Sequence, residues 1–291
     1  MIYNLGSINA DFFYSVPHLP RSGETLSSTE FTRDLGGKGA NMSIAAARAG
    51  RRVLHIGAVG EDGHWAIDAL RAEGIETQIT ILPGVATGNA VILRDADGEN
   101  AIVTLSGANG EIDEEHLRRS LDGIGPDDVF MLQNETVLGR EAVELAATAG
   151  AHVVYAAAPF LSQTVHDVLP FVDTLVLNEV EMADLRATLN VAPNKMSVSQ
   201  IVVTQGARGA TLFRQGEEEV SFPAPPVDVV DTTGAGDTLT GYLAAGVDAG
   251  KPIQTALHTA MRAASIMVTK KGTASAIPAM KEVKAAELRT R

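Results

Sequence analysis

The sequence predicts an α/β protein whose central sheet is mostly parallel and covered by helices on both faces. Two observations support this class: strand and helix signals alternate from residue 52 to residue 204, and the last third of the chain is helical. With 291 residues, 45% of them apolar, the chain is long enough to bury the core that such a sheet needs.

The alternation in the middle of the chain defines the sheet. Short apolar runs, typical of buried strands, are separated by longer stretches whose apolar residues recur at helical spacing. Parallel strands need long crossover connections, so this order predicts a mostly parallel sheet. The predicted strands are 52–57, 128–132, 152–155, 174–177 and 201–204, and the predicted helices between them are 63–73, 139–149, 162–169 and 179–189.

The last third of the chain and one early segment predict further helices. The early helix stops at Gly50, a residue that commonly ends helices. The stretch 191–199, by contrast, is turn-rich and too short for a long crossover helix. The further helices are expected at 40–49, 235–249, 253–271 and 281–289.

Polar or alternating segments in the first third predict a second, smaller sheet. One of them contains the hairpin signal Asp97-Gly98. We expect these strands to form a lid over a pocket and to be inserted into the α/β core of a single domain, 1–291. The lid strands are predicted at about 8–16, 24–33 and 88–105.

Composition excludes several classes of function. The net charge of −13, from 23 basic and 36 acidic residues, is a poor match for a protein that binds nucleic acid through phosphates. The chain has no cysteine, which excludes disulfides and thiolate chemistry. We find neither a signal-peptide pattern nor an apolar stretch long enough for a membrane helix, so we expect a cytoplasmic protein.

The stretch 231–238, with the sequence DTTGAGDT, places two glycines and a carboxylate where a loop turns into a helix. A helix start presents unpaired N–H groups and positive dipole charge, and Gly234 and Gly236 would let a phosphate approach them closely. Asp237 would then lie beside a bound anion, where an acid repels its ligand. We therefore predict that Asp237 accepts a proton from a substrate hydroxyl that attacks the phosphate.

A second glycine-rich stretch, 36–41 with the sequence GGKGAN, opens the early helix. Its glycines would let backbone N–H groups face a polyhydroxylated ligand, and Asn41 can both donate to and accept from sugar hydroxyls. Asn9 and Asp11 share one face at strand spacing, and Asp11 can accept hydrogen bonds from two hydroxyls. Taken alone, each pattern is equally compatible with a structural role, as a helix-start loop or a polar edge strand.

Polar residues follow three predicted strands at their carboxyl ends, the edge at which parallel sheets bind ligands. Glu135 follows the strand at 128–132, and Asn178-Glu179 follows the strand at 174–177, where Asn178 also fits a helix cap. The stretch 204–209, TQGARG, would hold nucleotide phosphates or merely join two strands.

Together, the stretches 36–41 and 231–237 resemble the two signatures of the ribokinase family of sugar and nucleoside kinases. The resemblance implies a three-layer α/β/α fold with a β-sheet lid that often serves dimerisation, and hence a homodimer. It also implies transfer of the ATP γ-phosphate to a primary hydroxyl of a pentose such as ribose, with Mg²⁺ entering with ATP. The further matching motifs are Asn4–Asp11, Thr87-Gly88, Gly98–Asn100, Gly107–Asn109, Asn178-Glu179 and Lys271-Gly272.

The resemblance also implies a role for each matched residue. Asp237 would be the catalytic base, and Gly234, Ala235 and Gly236 would form the anion hole. The sugar would contact Asn9, Asp11, Gly37, Lys38, Asn41 and Glu135, the nucleotide would contact Asn178, Thr204, Gly206 and Gly209, and a monovalent cation like K⁺ would be held by Asp231, Thr233, Met267, Lys270 and Gly272.

Two departures from the family pattern change these expectations. Ala276 stands where a serine hydroxyl commonly helps to bind the cation, which weakens the case for K⁺. Ala156 stands where the family commonly has an asparagine, which removes a polar contact near the phosphates.

Two alternatives remain open. Phe12, Phe13 and Tyr14 follow Asp11 and could form the apolar surface that a nucleoside base requires, and 2-deoxyribose or a fructose-type sugar is a further substrate of the same class. A non-catalytic sugar sensor on the same fold is the alternative from a different class, although Asp237 argues against it.

Overall fold

The computed structural model describes residues 1–97 and 99–286. Within these residues the larger sheet has nine strands, and β12 alone runs in the direction opposite to the other eight. Along the sheet the order is β13-β12-β11-β10-β9-β8-β1-β4-β5. The strands are β1 (Ile2–Leu5), β4 (Val53–Gly60), β5 (Glu76–Leu82), β8 (Val129–Gln133), β9 (His152–Ala156), β10 (Thr174–Asn178), β11 (Gln200–Thr204), β12 (Ala210–Arg214) and β13 (Val220–Phe222).

Helices cover both faces of this sheet, so the molecule has three layers. Each face buries its own apolar cluster, because strands covered on both sides carry apolar residues on both sides. The first cluster includes α1 (Lys38–Arg48), α2 (His64–Ala72), α7 (Ala235–Asp248), α8 (Ile253–Met267) and α9 (Met280–Ala285). The second includes α3 (Glu114–Ser120), α4 (Gly139–Thr148), α5 (Ser162–Val168) and α6 (Glu179–Leu189).

A second sheet of four strands forms the lid. Its order is β3-β2-β6-β7, in which β2 and β6 are parallel and the outer pairs are antiparallel. The first residue of β2 pairs with the last residue of β3 and the first of β6, so these three segments meet at one corner of the sheet. The strands are β2 (Asn9–Ser15), β3 (Glu30–Gly36), β6 (Gly88–Arg94) and β7 (Asn100–Leu105).

The lid strand predicted at 24–33 corresponds to β3, but β3 begins only at Glu30 and extends to Gly36. The reason is its partner: β2 ends at Ser15, which pairs with Glu30, and Pro17 follows with no N–H for a further ladder bond. The predicted hairpin turn at Asp97-Gly98 includes Gly98, which lies outside the described residues.

Two predicted helices end earlier than expected. The helix at 253–271 stops at Met267, because the chain turns there and the Val268 carbonyl accepts the N–H groups of Val230 and Asp231. The helix predicted at 281–289 corresponds to α9, which ends at Ala285, and residues 287–291 lie outside the described part. In 191–199 only a short 3-10 turn forms, as the segment's length predicted.

No helix within residues 1–97 and 99–286 combines the length and apolarity required to cross a membrane.

Candidate active site

The loop that precedes α7 has the geometry of an anion hole. Gly234 takes a left-handed conformation (φ 80°) as the N-cap residue, and a Cβ there would lie 2.8 Å from the terminal methyl of Met267. Ala235 and Gly236 open the helix, and no atom lies within 4 Å of the place where a Cβ on Gly236 would sit. The Ala235 N–H donates to the Thr232 carbonyl at 3.2 Å, the space beside Gly236 is open, and the left-handed backbone at position 234 favours glycine.

Asp237 lies in this first turn and is buried, with 8% of its surface exposed. The side-chain amide of Asn41 donates to Asp237 Oδ2 at 2.9 Å. Burial raises the pKa of Asp237, while the charge of Lys38 and the Asn41 hydrogen bond act in the opposite direction. The Oδ1 atom of Asn41 is buried and finds no hydrogen-bond partner among the described residues, so it is free to accept a ligand hydroxyl.

Glu135 joins the loop after β1 to the start of α1. Its Oε2 accepts hydrogen bonds from Ser7 Oγ at 2.5 Å and from the Lys38 N–H at 3.0 Å, and Oε1 lies 3.8 Å from Lys38 Nζ. Gly37, with φ 89°, caps α1 so closely against Ser7 that a Cβ would lie 2.8 Å from the Ser7 carbonyl oxygen. Ser7 is a site residue that the sequence motifs did not single out.

The Lys38 ammonium is the positive centre of an acidic cluster. Its pKa is raised by Asp237, although burial acts against the rise, and Glu135, Glu181 and Asp11 raise it further. Because these carboxylates reach Lys38 from different elements, the site offers many acceptors to sugar hydroxyls and one fixed cation to a phosphate.

Asp11 is buried on the lid face that looks toward this cluster. Burial and the charges of Asp34, Glu135 and Asp237 raise the pKa of Asp11 to about 7, with Lys38 acting against them. Neighbouring Gly36 cannot be replaced without moving Asp11, since a Cβ there would lie 2.0 Å from the carboxylate.

Asn9 is held in place by Asn109, a second residue that was not assigned a site role. Asn109 donates to Asn9 Oδ1 at 2.8 Å and accepts from the Ile8 N–H at 2.9 Å. A Cβ on Gly88 would lie 2.1 Å from the Asn109 amide nitrogen. The Thr87-Gly88 and Gly107–Asn109 motifs therefore both support the contact between Asn109 and Asn9.

A buried network of hydrogen bonds connects the loop after β1 with α1 and β4. The His55 ring lies 3.0 Å from the Gly6 carbonyl oxygen through Nε2 and 2.8 Å from Ser43 Oγ through Nδ1. Asn4 donates to Ser43 Oγ at 2.7 Å and to the Gly39 carbonyl at 2.8 Å. Burial lowers the pKa of His55 to about 4, so the ring is neutral at pH 7.

A cavity of about 360 Å³ adjoins the anion hole. Thr204, Gly206 and Gly209 line it, as predicted for the nucleotide site, and Ala235 and Gly236 belong to both the cavity and the anion hole. Its other walls are mostly apolar, which suits a nucleobase and ribose. The apolar lining residues include Pro225, Pro226, Val227, Val229, Leu239 and Met261.

Asn178 does not line this cavity but begins α6 with a capping box. Its side chain accepts the Glu181 N–H at 2.9 Å, and Glu181 accepts the Asn178 N–H at 2.8 Å. Asn178 pairs with Thr204 in the sheet, so it lies next to the cavity. The half-buried Glu181, whose pKa is raised by burial, joins Asp237, Glu135 and Asp11 as a fourth acid near Lys38. The sequence motifs missed it, although the N-x-x-E spacing signals the box.

The predicted cation ligands are Asp231 and Thr233 together with backbone groups of Met267, Lys270 and Gly272, and several of these groups already have partners. Asp231 Oδ1 accepts the Thr233 N–H at 3.0 Å, and Oδ2 lies 3.6 Å from the guanidinium of Arg94. The Met267 carbonyl accepts the Lys270 N–H at 2.9 Å. Gly272 has a φ of 106° in the turn that follows.

The donor set is one hydroxyl short of the family pattern, in which protein oxygens replace the hydration shell of K⁺. Ala276 adds no hydroxyl, and a side-chain cation already faces the Asp231 carboxylate. Burial raises the pKa of Asp231, but hydrogen bonds from Thr233 and the charge of Arg94 outweigh it and hold the pKa below its usual value.

Comparisons with known proteins agree with this geometry. The family model of the pfkB family carbohydrate kinases matches residues 1–280. A ribokinase from Haemophilus influenzae is 36% identical over 294 residues, which cover 96% of this chain and 95% of that protein. A deoxyribokinase from Salmonella typhi is 31% identical over the same length with the same coverage.

The solved structures give the same result. The structure of Arabidopsis thaliana ribokinase complexed with ribose and ATP superposes with a TM-score of 0.87 at 29% identity, covering 97% of each chain. The expected three-layer fold with a lid is thereby confirmed. The match extends over both glycine-rich loops and the lid, and the chain belongs to the pfkB family of carbohydrate kinases.

Proposed function

We propose that this protein is an ATP-dependent pentose kinase that transfers the γ-phosphate of ATP to the primary hydroxyl of ribose and forms ribose 5-phosphate. One observation carries the proposal: the buried Asp237 lies in the first turn of α7, between an acceptor-rich polar site and an apolar cavity that shares Ala235 and Gly236. The ribose and ATP bound to the Arabidopsis relative support the choice of both substrates.

The sugar is held by acceptors that converge from the lid and α1. Asp11, Asn9 and Glu135 would accept its secondary hydroxyls, and the unpaired Asn41 Oδ1 would accept one more. Gly37 and Lys38 contribute the closely packed start of α1 that positions Glu135. This arrangement directs the primary hydroxyl toward Asp237.

Asp237 accepts the proton of that hydroxyl as the oxygen attacks the γ-phosphorus and the bond to the β-phosphate oxygen breaks, leaving ADP. A loose transition state places negative charge on the transferred group, which the amides of Gly236 and Asp237 and the Lys38 ammonium stabilise. The hydrogen bond from Asn41 favours the ionised form of Asp237 that can take the proton.

ATP fits the cavity with its base against the apolar walls and its phosphates toward Gly234, Ala235 and Gly236. Thr204, Gly206 and Gly209 would contact the nucleotide directly, and Asn178 would contribute the amide nitrogen that its capping role leaves free. Mg²⁺ would enter with ATP, and the Glu181 carboxylate beside Asn178 would offer it, or its bound waters, an oxygen donor. The ion offsets phosphate charge.

2-Deoxyribose is the second candidate, and the deoxyribokinase relative supports it. The two sugars differ only in one hydroxyl. Selectivity between them therefore depends on whether an acceptor in the lid receives a hydrogen bond from that hydroxyl. A site built to hydrogen-bond a hydroxyl rejects the analogue that lacks it, because its buried polar groups are left unpaired.

We also infer a homodimer formed through the lid, in a cytoplasmic protein. The edge strand β7 is exposed along its whole length and carries Ile102, Val103 and Leu105, exposed by 55%, 72% and 52%. An apolar, unpaired strand edge is an aggregation hazard unless another chain covers it. A second lid would do so.

A coupled assay of ADP release with ribose, 2-deoxyribose, fructose and adenosine tests the assignment. We expect ribose to give the highest kcat/KM. Faster turnover of 2-deoxyribose or adenosine would replace ribose as the substrate, and binding of a sugar without any ADP release would identify a sensor.

A further inference from the structure

A lid arginine reaches the loop that carries the anion hole. Arg94 ends β6, and its guanidinium lies 3.6 Å from Asp231 Oδ2. Because side chains alternate along a strand, Arg94 shares a face with Ala90 and Ile92, and Ala90 pairs with Asp11 in the lid. Arg94 therefore lies on the lid face that covers the active site.

Asp231 is almost enclosed, with 14% of its side chain exposed, whereas 37% of the Arg94 side chain is exposed. The other oxygen of Asp231 accepts the Thr233 N–H, in the loop just before α7 begins. An ion pair at this point therefore acts on the loop that shapes the anion hole. Phe13, on the neighbouring strand, supports the guanidinium with its ring centroid at 5.9 Å.

The same carboxylate is the one that a monovalent cation would require. The cation ligand set lacks a hydroxyl at Ala276, and the Arg94 guanidinium lies 3.6 Å from Asp231 Oδ2. A guanidinium carries the same single charge as K⁺ and cannot lose it at any physiological pH.

We propose that Arg94 is a positioning residue that supplies the counter-charge of Asp231 from the lid, so that the enzyme orders its anion hole without a monovalent cation. Since Arg94 belongs to β6, the counter-charge is present only when the lid stands over the site. The order of the loop is thereby linked to the position of the lid. This inference rests on the kinase function proposed above.

The test compares wild type with Arg94→Met, in KCl and in tetramethylammonium chloride at equal ionic strength. We expect wild-type kcat to be equal in the two salts within about twofold. Arg94→Met should lose roughly tenfold in kcat without K⁺ and recover most of it with K⁺, which gains access to Asp231. Arg94→Lys, which keeps the charge, should stay independent of K⁺.

Arg33→Met is the matched control, because Arg33 is a lid arginine on β3 that stacks on Trp65 at 4.3 Å instead of facing Asp231. It should leave kcat and its salt response unchanged. Thermal unfolding provides a readout without catalysis: K⁺ should raise the melting temperature of Arg94→Met but not that of wild type.

A wild-type enzyme that loses activity more than tenfold without K⁺ would overturn the proposal, as would an Arg94→Met enzyme with normal kcat in both salts. If no tested sugar is phosphorylated, the proposed substrate fails, and the melting experiment still decides whether Arg94 excludes the cation.

Discussion

Asn41 donates its side-chain N–H to Asp237 Oδ2 at 2.9 Å while its own Oδ1 remains buried and unpaired within the described part of the chain. One amide thus orients the carboxylate that takes the proton and leaves an acceptor for the sugar. An unsatisfied buried oxygen is costly, so this atom is well placed to accept a hydrogen bond from a ligand hydroxyl.

Replacing Asp237 by asparagine should lower kcat by about a factor of 10³ or more, because the amide cannot take the hydroxyl proton. Sugar binding should change little. ADP release and calorimetric titration with ribose measure the two effects. Asp68→Asn, an exposed change on α2, is the control. An Asp237→Asn enzyme within tenfold of wild type would refute the base assignment.

Asn41→Leu should raise the KM for ribose by roughly tenfold or more, since it removes the free acceptor while keeping the volume. It should also shift the acidic limb of the kcat profile to higher pH. The sign follows from the lost hydrogen bond, which now lowers the pKa of Asp237. A profile that does not move would show that Asn41 binds sugar without tuning Asp237.

Asp11 should release protons when ribose binds near neutral pH. Its pKa is raised to about 7, and hydroxyls that donate to the carboxylate favour the ionised form, so its pKa falls on binding. Calorimetry of ribose binding in buffers of different ionisation enthalpy counts the protons at pH 6.5. Asp11→Asn should abolish the release; an unchanged count would assign the protons to another group.

The buried His55 should destabilise the protein as the solution is acidified. Its folded pKa of about 4 lies below the ordinary value of 6.5, so the unfolded chain binds a proton first, and stability is lost as pH falls from 6.5 to 4. The contribution changes by about 1.4 kcal/mol per pH unit within that window. Asp11, with its raised pKa, acts in the opposite sense between 7 and 4.

Because the effects of His55 and Asp11 on stability have opposite signs, the contribution of His55 is obtained by comparing the free energy of unfolding of the wild type with that of a His55 variant at each pH. His55→Leu should cost about 2–4 kcal/mol at pH 7, because the Gly6 carbonyl and Ser43 lose a buried partner. That difference should shrink as pH falls toward 4. Denaturant unfolding at several pH values measures it, with exposed His64→Gln as control. A difference that is constant with pH would mean that His55 is not neutral in the fold.

Val103→Lys should convert the proposed dimer to a monomer, because it places a charge at the exposed centre of β7. Sedimentation or light scattering gives the mass. Val180→Lys is the control: Val180 is exposed to nearly the same extent, 70%, but lies on α6 outside the lid. A wild-type monomer at micromolar concentration would contradict the lid dimer.

Much of this molecule could be predicted from local patterns. The alternation of apolar runs predicts the parallel sheet, because burial on both faces demands apolar strands. The spacing of Gly234, Gly236 and Asp237 predicts an anion hole, because a helix start and a missing Cβ are local properties. The missed strands β1 and β13 are short and β5 is only half-buried, so their patterns are weak, whereas β12 is as long as the predicted strands and was simply not recognised.

The tertiary structure alone decided which of these residues meet. Asn41 and Asp237 are 196 positions apart and Ser7 and Glu135 are 128 apart, and nothing in either local pattern predicts their contacts. The same holds for Arg94, an ordinary lid residue in sequence that faces Asp231 in the fold. Local sequence sets backbone conformation and burial, whereas the charge balance of a site depends on side chains that packing brings together from distant elements.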